Sequence, residues 1–261
     1  MSDGSVRIGT SGYAYGHWRG VLYGSGLPRD RWLQRYAECF DTVELNGTFY
    51  GLPARDAVRR WQQQVPADFL FAAKMSRYGT HLKRLREPSG WLDRFFDAME
   101  PLGSQLGPIL IQLPPRWRRD VGRLTDLLDV LPGGRRFAME FRDPDWLHES
   151  VFDTLRAHDV ALCIHDLVED HPNVVTAGWV YLRFHGPSRA RPYTGRYPTQ
   201  TLRDVERCIR RHIETGLDVY AYFDNDGGGA AVKDALRLRS YLVGDTPQDR
   251  AAGTQTESPE P

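Results

Sequence analysis

The sequence predicts a single (β/α)8 barrel of the TIM type, and three observations predict it. Short apolar runs alternate with longer amphipathic stretches eight times along about 250 residues. The first strand-to-helix turn, Gly9-Thr10-Ser11-Gly12-Tyr13, is neither a dinucleotide fingerprint nor a P-loop, which argues against the rival doubly wound sheet. Seven of the eight predicted strands also end in a polar or charged residue on one face only.

Strands are expected at 6–9, 42–45, 70–74, 109–113, 137–141, 161–164, 180–184 and 219–223. Helical spacing covers 56–64, with Val58 and Trp61, and 91–102, with Leu92, Phe95, Phe96 and Met99. It returns at 124–131, at 151–158 and at 202–214, the last carrying Val205, Ile209 and Ile213. Pro28, Asp120 and Thr201 stand where helices should start. The link 168–178, broken by Pro172 and Gly178, is too short for a full helix, so the connection between strands six and seven is expected to be irregular. Residues 1–244 make up the barrel on this reading. Residues 245–261 lose their apolar side chains and form a disordered tail.

Composition bounds the function. The 261 residues carry 34 basic and 34 acidic side chains, so the net charge is zero, which disfavours a protein built chiefly to coat DNA or an anionic membrane. Hydrophobic residues make up 41%, enough for a sizeable core. No stretch approaches the roughly 18 apolar residues of a membrane span, and the start lacks a basic region followed by an apolar core. Cys39, Cys163 and Cys208 are odd in number and far apart, which excludes a disulfide framework. A cytoplasmic protein without membrane contact is expected. Only Lys74, Lys83 and Lys233 are lysines; the other 31 basic residues are arginines.

Side chains alternate sides along a strand, so each strand splits into two faces. Ala138, Glu140 and Arg142 share one face of strand five; Tyr181, Arg183 and His185 share one of strand seven; Tyr220, Tyr222 and Asp224 share one of strand eight. Strand two pairs Glu44 with Asn46, strand four ends in Gln112, and strand three sets Lys74 beside Ala72. Strand six is expected to place Asp166 beyond Leu162 and Ile164, and to turn His165, with Cys163, toward the helices. These polar ends would converge at the carboxyl mouth of a barrel, where its active sites lie.

The runs Ile8-Gly9-Thr10-Ser11-Gly12-Tyr13, Glu44-Leu45-Asn46-Gly47-Thr48-Phe49-Tyr50 and Gln112-Leu113-Pro114-Pro115 resemble the YecE-like family, which carries domain of unknown function number 72. So do Glu140-Phe141-Arg142, Tyr181-Leu182-Arg183-Phe184-His185-Gly186 and Tyr220-Ala221-Tyr222-Phe223-Asp224-Asn225. The resemblance runs from about Val6 to Leu242. It implies a TIM-type barrel and supplies no activity.

The chemistry expected at the mouth follows from residue type. Glu140 and His185 suit a general acid/base pair, with Asp166 and Lys74 completing the catalytic set. Arg142 and Arg183 suit bidentate capture of a carboxylate or phosphate. Lys74 near two arginines would have its pKa pressed down, as Schiff-base or proton-transfer work requires; a salt bridge to Glu44 or Glu140 is the ordinary alternative. Glu44, Asn46, Gln112, Tyr222 and Asn225 complete the binding set, and Trp18, Tyr50 and Tyr193 would close over the substrate. No metal-ligand spacing is present, so no cofactor is expected, a divalent metal being the candidate exception. The loop 187–198 interleaves Arg189, Arg191 and Arg196 with Tyr193 and Tyr197. The reading is an enzyme of hydrolase or isomerase type, acting on a small anionic or polyhydroxylated molecule such as a sugar phosphate or nucleotide. The alternative is a nucleic-acid-binding barrel, of the metal-assisted phosphodiesterase kind.

Overall fold

A computed structural model describes residues 3–243, so the expected tail 245–261 lies outside the described residues. Eight strands form one sheet: β1 (Val6–Thr10), β2 (Thr42–Leu45), β3 (Leu70–Lys74), β4 (Leu106–Gln112), β5 (Phe137–Glu140), β6 (Ala161–His165), β7 (Trp179–Phe184) and β8 (Asp218–Phe223). Each pairs in parallel with its neighbour in the order β1-β8-β7-β6-β5-β4-β3-β2. The helices between them are α1 (Trp32–Ala37), α2 (Gly47–Tyr50), α3 (Arg55–Gln63), α4 (Pro88–Met99), α5 (Val121–Leu128), α6 (Glu149–Ala157), α7 (Thr199–Glu214) and α8 (Ala230–Val243). This is the predicted (β/α)8 barrel.

The barrel closes weakly between β1 and β2, through a bridge of Ser11 to Glu44. Below that point the Tyr36 hydroxyl fills the seam, accepting from Thr10 N at 2.9 Å and donating to Thr42 O at 3.1 Å. Gly9 makes this closeness attainable, because a Cβ there would lie 2.4 Å from Thr42 O. The barrel interior sets Ala72, Ala138 and Ala161 opposite Trp179, Tyr181, Tyr220 and Tyr222, small side chains making room for large ones. The outward strand faces, including Val43, Phe71, Ile111, Met139 and Phe223, pack beneath the helices.

Local chemistry sets the boundaries. Asp120 caps α5 by accepting from Arg123 N at 3.0 Å. Pro28 precedes a single 3-10 turn, Arg29–Arg31, that runs into α1. Helix α7 begins at Thr199, two residues before Thr201. Between β6 and β7 the chain is irregular, as expected, and Thr176 satisfies the strand backbone there: its hydroxyl accepts from Leu162 N and donates to Val160 O, both at 2.7 Å.

The face assignment holds in β2, β3, β4, β5, β7 and β8 and is reversed in β6. Cys163 belongs to the barrel interior, and Leu162 and Ile164 pack against the helix layer. His165 therefore points inward, its Nε2 2.8 Å from Phe141 O. Asp166, past the strand end, lies behind β7. A polar residue just beyond a strand no longer follows the pleat, whereas the buried thiol of Cys163 does.

Candidate functional site

The carboxyl ends of the strands surround a cavity of about 650 Å³. Lys74 from β3, Gln112 from β4 and Arg142 just past β5 form one wall, with Arg77 and His81 above them. Asn46 past β2, Asp224 and Asp226 past β8, and Tyr15 from the first loop form the other. Phe49, Tyr50 and Tyr193 complete the lining; Tyr50 is 75% exposed and Tyr193 41%, so neither ring is packed into the core. His81 reaches the cavity on a π-helical turn, Tyr78–Leu82. That turn packs so closely on α4 that a Cβ at Gly79 would meet the Trp91 ring at 2.4 Å.

Beneath the floor lies a buried ion network centred on Arg183, which is fully buried. Its guanidinium donates to Glu140 Oε2 at 2.6 Å, Glu44 Oε1 at 2.8 Å, Asp224 Oδ2 at 2.9 Å and Ser11 Oγ at 3.0 Å. Burial works to raise the Glu140 carboxyl, but Arg142 and Arg183 hold it well below the ordinary range. Glu44 is held low in the same way, against burial, by Arg183 and then Lys74. Both remain charged because every oxygen has a partner: Arg142 Nε donates to Glu140 Oε1, while Ser11 Oγ and, at 2.7 Å, the Tyr181 hydroxyl donate to Glu44.

His185 is locked into this network. Its Nδ1 donates to Asp166 Oδ1 at 3.1 Å, which leaves Nε2 to accept from Arg183 Nη1 at 3.0 Å and Arg142 Nη2 at 3.3 Å. Asp166 is fixed in turn by His185 N at 2.9 Å and by the Tyr197 hydroxyl. Arg142 also donates to the Tyr193 hydroxyl and to Gln112 Oε1, each at 3.2 Å, tying the loop after β7 to the cavity wall.

Lys74 differs from the paired charges of the network beneath it. It is 8% exposed, its Nζ lies 4.6 Å from the centre of the Phe49 ring, and no hydrogen bond is formed by the amine among the described residues. Burial first, and the Arg183 guanidinium second, push it down from 10.5 to about 8. His81 is pushed to about 4 by burial and by Lys74. Asn46 supplies a second unpartnered atom. Its Nδ2 donates to Ser11 Oγ at 2.5 Å, and Oδ1 is buried without a partner. Because Ser11 gives its own proton to Glu44, it can only accept from Asn46, which fixes the orientation of the amide.

Of the residues expected at the site, Lys74, Arg142, Asn46, Tyr50, Gln112 and Tyr193 line the cavity. Glu44, Glu140, Arg183 and His185 lie directly beneath as its support, and Asp166 stands behind His185. Three expected contacts are not brought to the cavity. Trp18 is buried in the core, its Nε1 donating to Asp226 Oδ1 at 2.6 Å, since so large an apolar ring packs rather than closes over solvent. Tyr222 points down the barrel to Thr42 Oγ1 at 2.8 Å. Asn225 binds Gly195 O and Asp234 Oδ2, holding the loop after β7 against α8. Phe49 escaped sequence reasoning because nothing in its residue type distinguishes a ring under a cation from one in the core. Among the described residues, no group of three or more His, Cys, Asp and Glu side chains is placed to hold a metal ion. No helix among them is long and apolar enough to cross a membrane.

Comparison with known proteins agrees with the motifs and the barrel. The chain is 35% identical over 115 residues to UPF0759 protein YecE of Escherichia coli (strain K12), a match covering 44% of this chain and 42% of YecE, less than half of that relative's length. It is 25% identical over 244 residues to UPF0759 protein YunF of Bacillus subtilis (strain 168), covering 80% of this chain and 86% of YunF. A crystal structure of a DUF72 family protein from Thermotoga maritima MSB8 superposes with a TM-score of 0.82 at 26% identity, over 92% of this chain and 99% of that one. A DUF72 family protein from Enterococcus faecalis V583, at 20% identity and a TM-score of 0.79 over 92% and 96% of the two chains, shares the fold. The family model described as "Protein of unknown function DUF72" matches residues 7–258, and the chain belongs to that family.

Proposed function

We propose that the protein is an enzyme whose cavity at the carboxyl mouth of the barrel takes a small anion bearing hydroxyl groups, and that Lys74 moves a proton on it. The observation that carries this reading is the division of the cavity. Lys74, Arg77 and Arg142 make one side cationic, while Asp224 and Asp226 give the other hydrogen-bond acceptors. A phosphate or carboxylate suits the first side and hydroxyl donors suit the second. The exposed rings of Tyr50 and Tyr193 suit the C–H face of a sugar. An amine near pKa 8 changes charge close to neutral pH, as a proton carrier must. Glu140 and His185, with their acceptor atoms all taken, serve this reading as the electrostatic support of Arg142 and Lys74 rather than as the groups that exchange protons.

The nucleic-acid alternative draws less support from the rim. Arg189 is paired with Glu169 and Arg196 with Asp234, each at 2.6 Å, so two of the three arginines of that loop are already engaged. A thermal-shift panel of sugar phosphates, sugar acids, neutral sugars and short oligonucleotides, with and without Mg²⁺, Mn²⁺ and Zn²⁺, tests both. A ligand at about 100 times its Kd stabilises by about 2.7 kcal/mol. The proposal expects a shift from phosphorylated or acidic sugars that weakens in Arg77→Ala and is absent with neutral sugars. A shift confined to oligonucleotides, steeply lost with salt, would overturn it in favour of the alternative.

A further inference from the structure

We infer that Lys74 is a nucleophile toward a carbonyl carbon, so that the substrate class is an aldehyde or ketone that also carries an anionic group. The inference rests on the anion-binding cavity of the proposed function and gives Lys74 a covalent role there in place of simple proton transfer.

Placement is the first argument. Nζ sits at the carboxyl end of β3 in the cavity wall, 4.6 Å from the centre of the Phe49 ring, which offers no hydrogen-bond acceptor. The carboxylates that would ordinarily pair with a lysine are engaged elsewhere: Glu44, Glu140 and Asp224 are each bound to Arg183. An amine that merely balanced charge would be drawn into such a pair; this one makes no hydrogen bond or ion pair among the described residues and lines the cavity.

The surroundings are the second argument. The charged and titratable groups that bear on the amine come from every adjoining element: Glu44 from β2, His81 from the turn after β3, Glu140 from β5, Arg183 from β7 and Asp224 past β8. Desolvation together with a neighbouring guanidinium outweighs the carboxylates and favours the neutral amine, whose lone pair is the reactive species. Residue type is the third. In a chain with 31 arginines and three lysines, a guanidinium would serve to hold an anion, whereas only a primary amine condenses with a carbonyl.

The step balances without any oxidant or reductant. The Nζ lone pair forms a bond to the carbonyl carbon as the C=O π pair moves to oxygen. That oxygen takes one proton from the new ammonium and a second from solvent and leaves as water; the nitrogen lone pair closes the C=N bond as an iminium, whose N–H proton returns to solvent when the neutral imine forms. The imine then withdraws electrons from an adjacent C–H or C–C bond.

Glyceraldehyde 3-phosphate and glycerol 3-phosphate form a matched pair of probes, since only the first can form an imine. The full chain is incubated with the aldehyde and sodium cyanoborohydride near pH 8, the value to which the amine is pushed, and the reduced adduct is mapped by peptide mass spectrometry. The inference expects the adduct on Lys74 ahead of the exposed Lys233 and of Lys83, which is paired with Glu87 at 2.6 Å. It also expects loss of that adduct in Lys74→Arg. Labelling of Lys233 or Lys83 in preference to Lys74, or no adduct at all, would overturn it. If glycerol 3-phosphate still stabilises the protein in that case, the anion-binding reading stands and the imine alone falls. If neither probe has an effect, both fall.

Discussion

Replacing Arg183 by methionine removes the group on which four elements of the barrel mouth converge. Methionine keeps an unbranched stem, so the change is chiefly electrostatic. Glu140 retains Arg142, whereas Glu44 retains the hydroxyls of Ser11 and Tyr181 and the more distant charge of Lys74, with no ion pair in contact. Breaking a buried ion pair by removing one partner costs about 3–5 kcal/mol, and three carboxylates sharing one arginine place this case near the upper end, about 4–5 kcal/mol. That is a large part of a typical domain stability of about 5–15 kcal/mol. In a chain of this size each kcal/mol moves the Tm by about 2–4 °C, so a fall of about 8–20 °C is expected. The loss has a definite pH dependence. In the native protein the carboxyls of Glu44 and Glu140 are held low, so the unfolded chain binds more protons than the folded one as pH falls; their contribution is present above the ordinary carboxylate pKa and lost below it. Without Arg183, burial dominates at Glu44 and raises its carboxyl, so the variant recovers stability as the pH falls. Calorimetry at about pH 8 and about pH 5 should therefore show the gap between the two proteins narrowing on acidification. A gap below about 1 kcal/mol, the worth of an exposed pair, or one that widens toward acid, would refute the reasoning.

Lys74 carries the opposite sign. Its folded pKa of about 8 lies below the ordinary 10.5, so between those values the unfolded chain holds a proton that the folded chain lacks, and this group's contribution to stability rises with pH across that window. Lys74→Met should raise stability at neutral pH by about 1–3 kcal/mol in urea melts, with the gain fading toward about pH 10, while turnover is lost. Gly186 has φ +121°, and a Cβ there would lie 2.6 Å from Thr194 O. Gly186→Ala should cost about 2–3 kcal/mol by thermal melting and displace Tyr193 from the cavity, seen as weaker stabilisation by any ligand that binds there. Cys208 is half-buried beside His212 and Asn173, whose hydrogen bonds bring its thiol to about 7, whereas Cys163 is fully buried with its thiol pushed far up. Iodoacetamide at neutral pH should alkylate Cys208 first and leave Cys163 untouched until the protein unfolds; equal rates would contradict the assignment.

The candidate site was legible in the sequence as far as strand periodicity reached. Glu44, Lys74, Gln112, Glu140 and Arg183 are strand residues, so a two-residue repeat assigns each to the interior, and all five lie at or beneath the mouth. The repeat failed at Asp166, one residue past β6, where the pleat no longer governs direction. It was silent on Trp18, Tyr193 and Asn225, which stand in loops whose course depends on distant partners such as Asp226, Arg142 and Asp234.

The sequence by itself determined the barrel, its eight strands and the inward face of β2, β3, β4, β5, β7 and β8, because hydrophobic period and strand length are local properties that burial then enforces. The distribution of charge at the mouth was decided by tertiary structure alone. Which carboxylate meets Arg183, and which cation is left over, depends on residues up to 172 positions apart in the chain, as Ser11 and Arg183 are. Glu140 and Lys74 alike read as candidate proton carriers in one dimension, and Glu44 as a binding residue. Folding gives both glutamates to arginines and leaves the amine of Lys74 facing the cavity, because a guanidinium offers more directed donors than an ammonium and takes the carboxylates first.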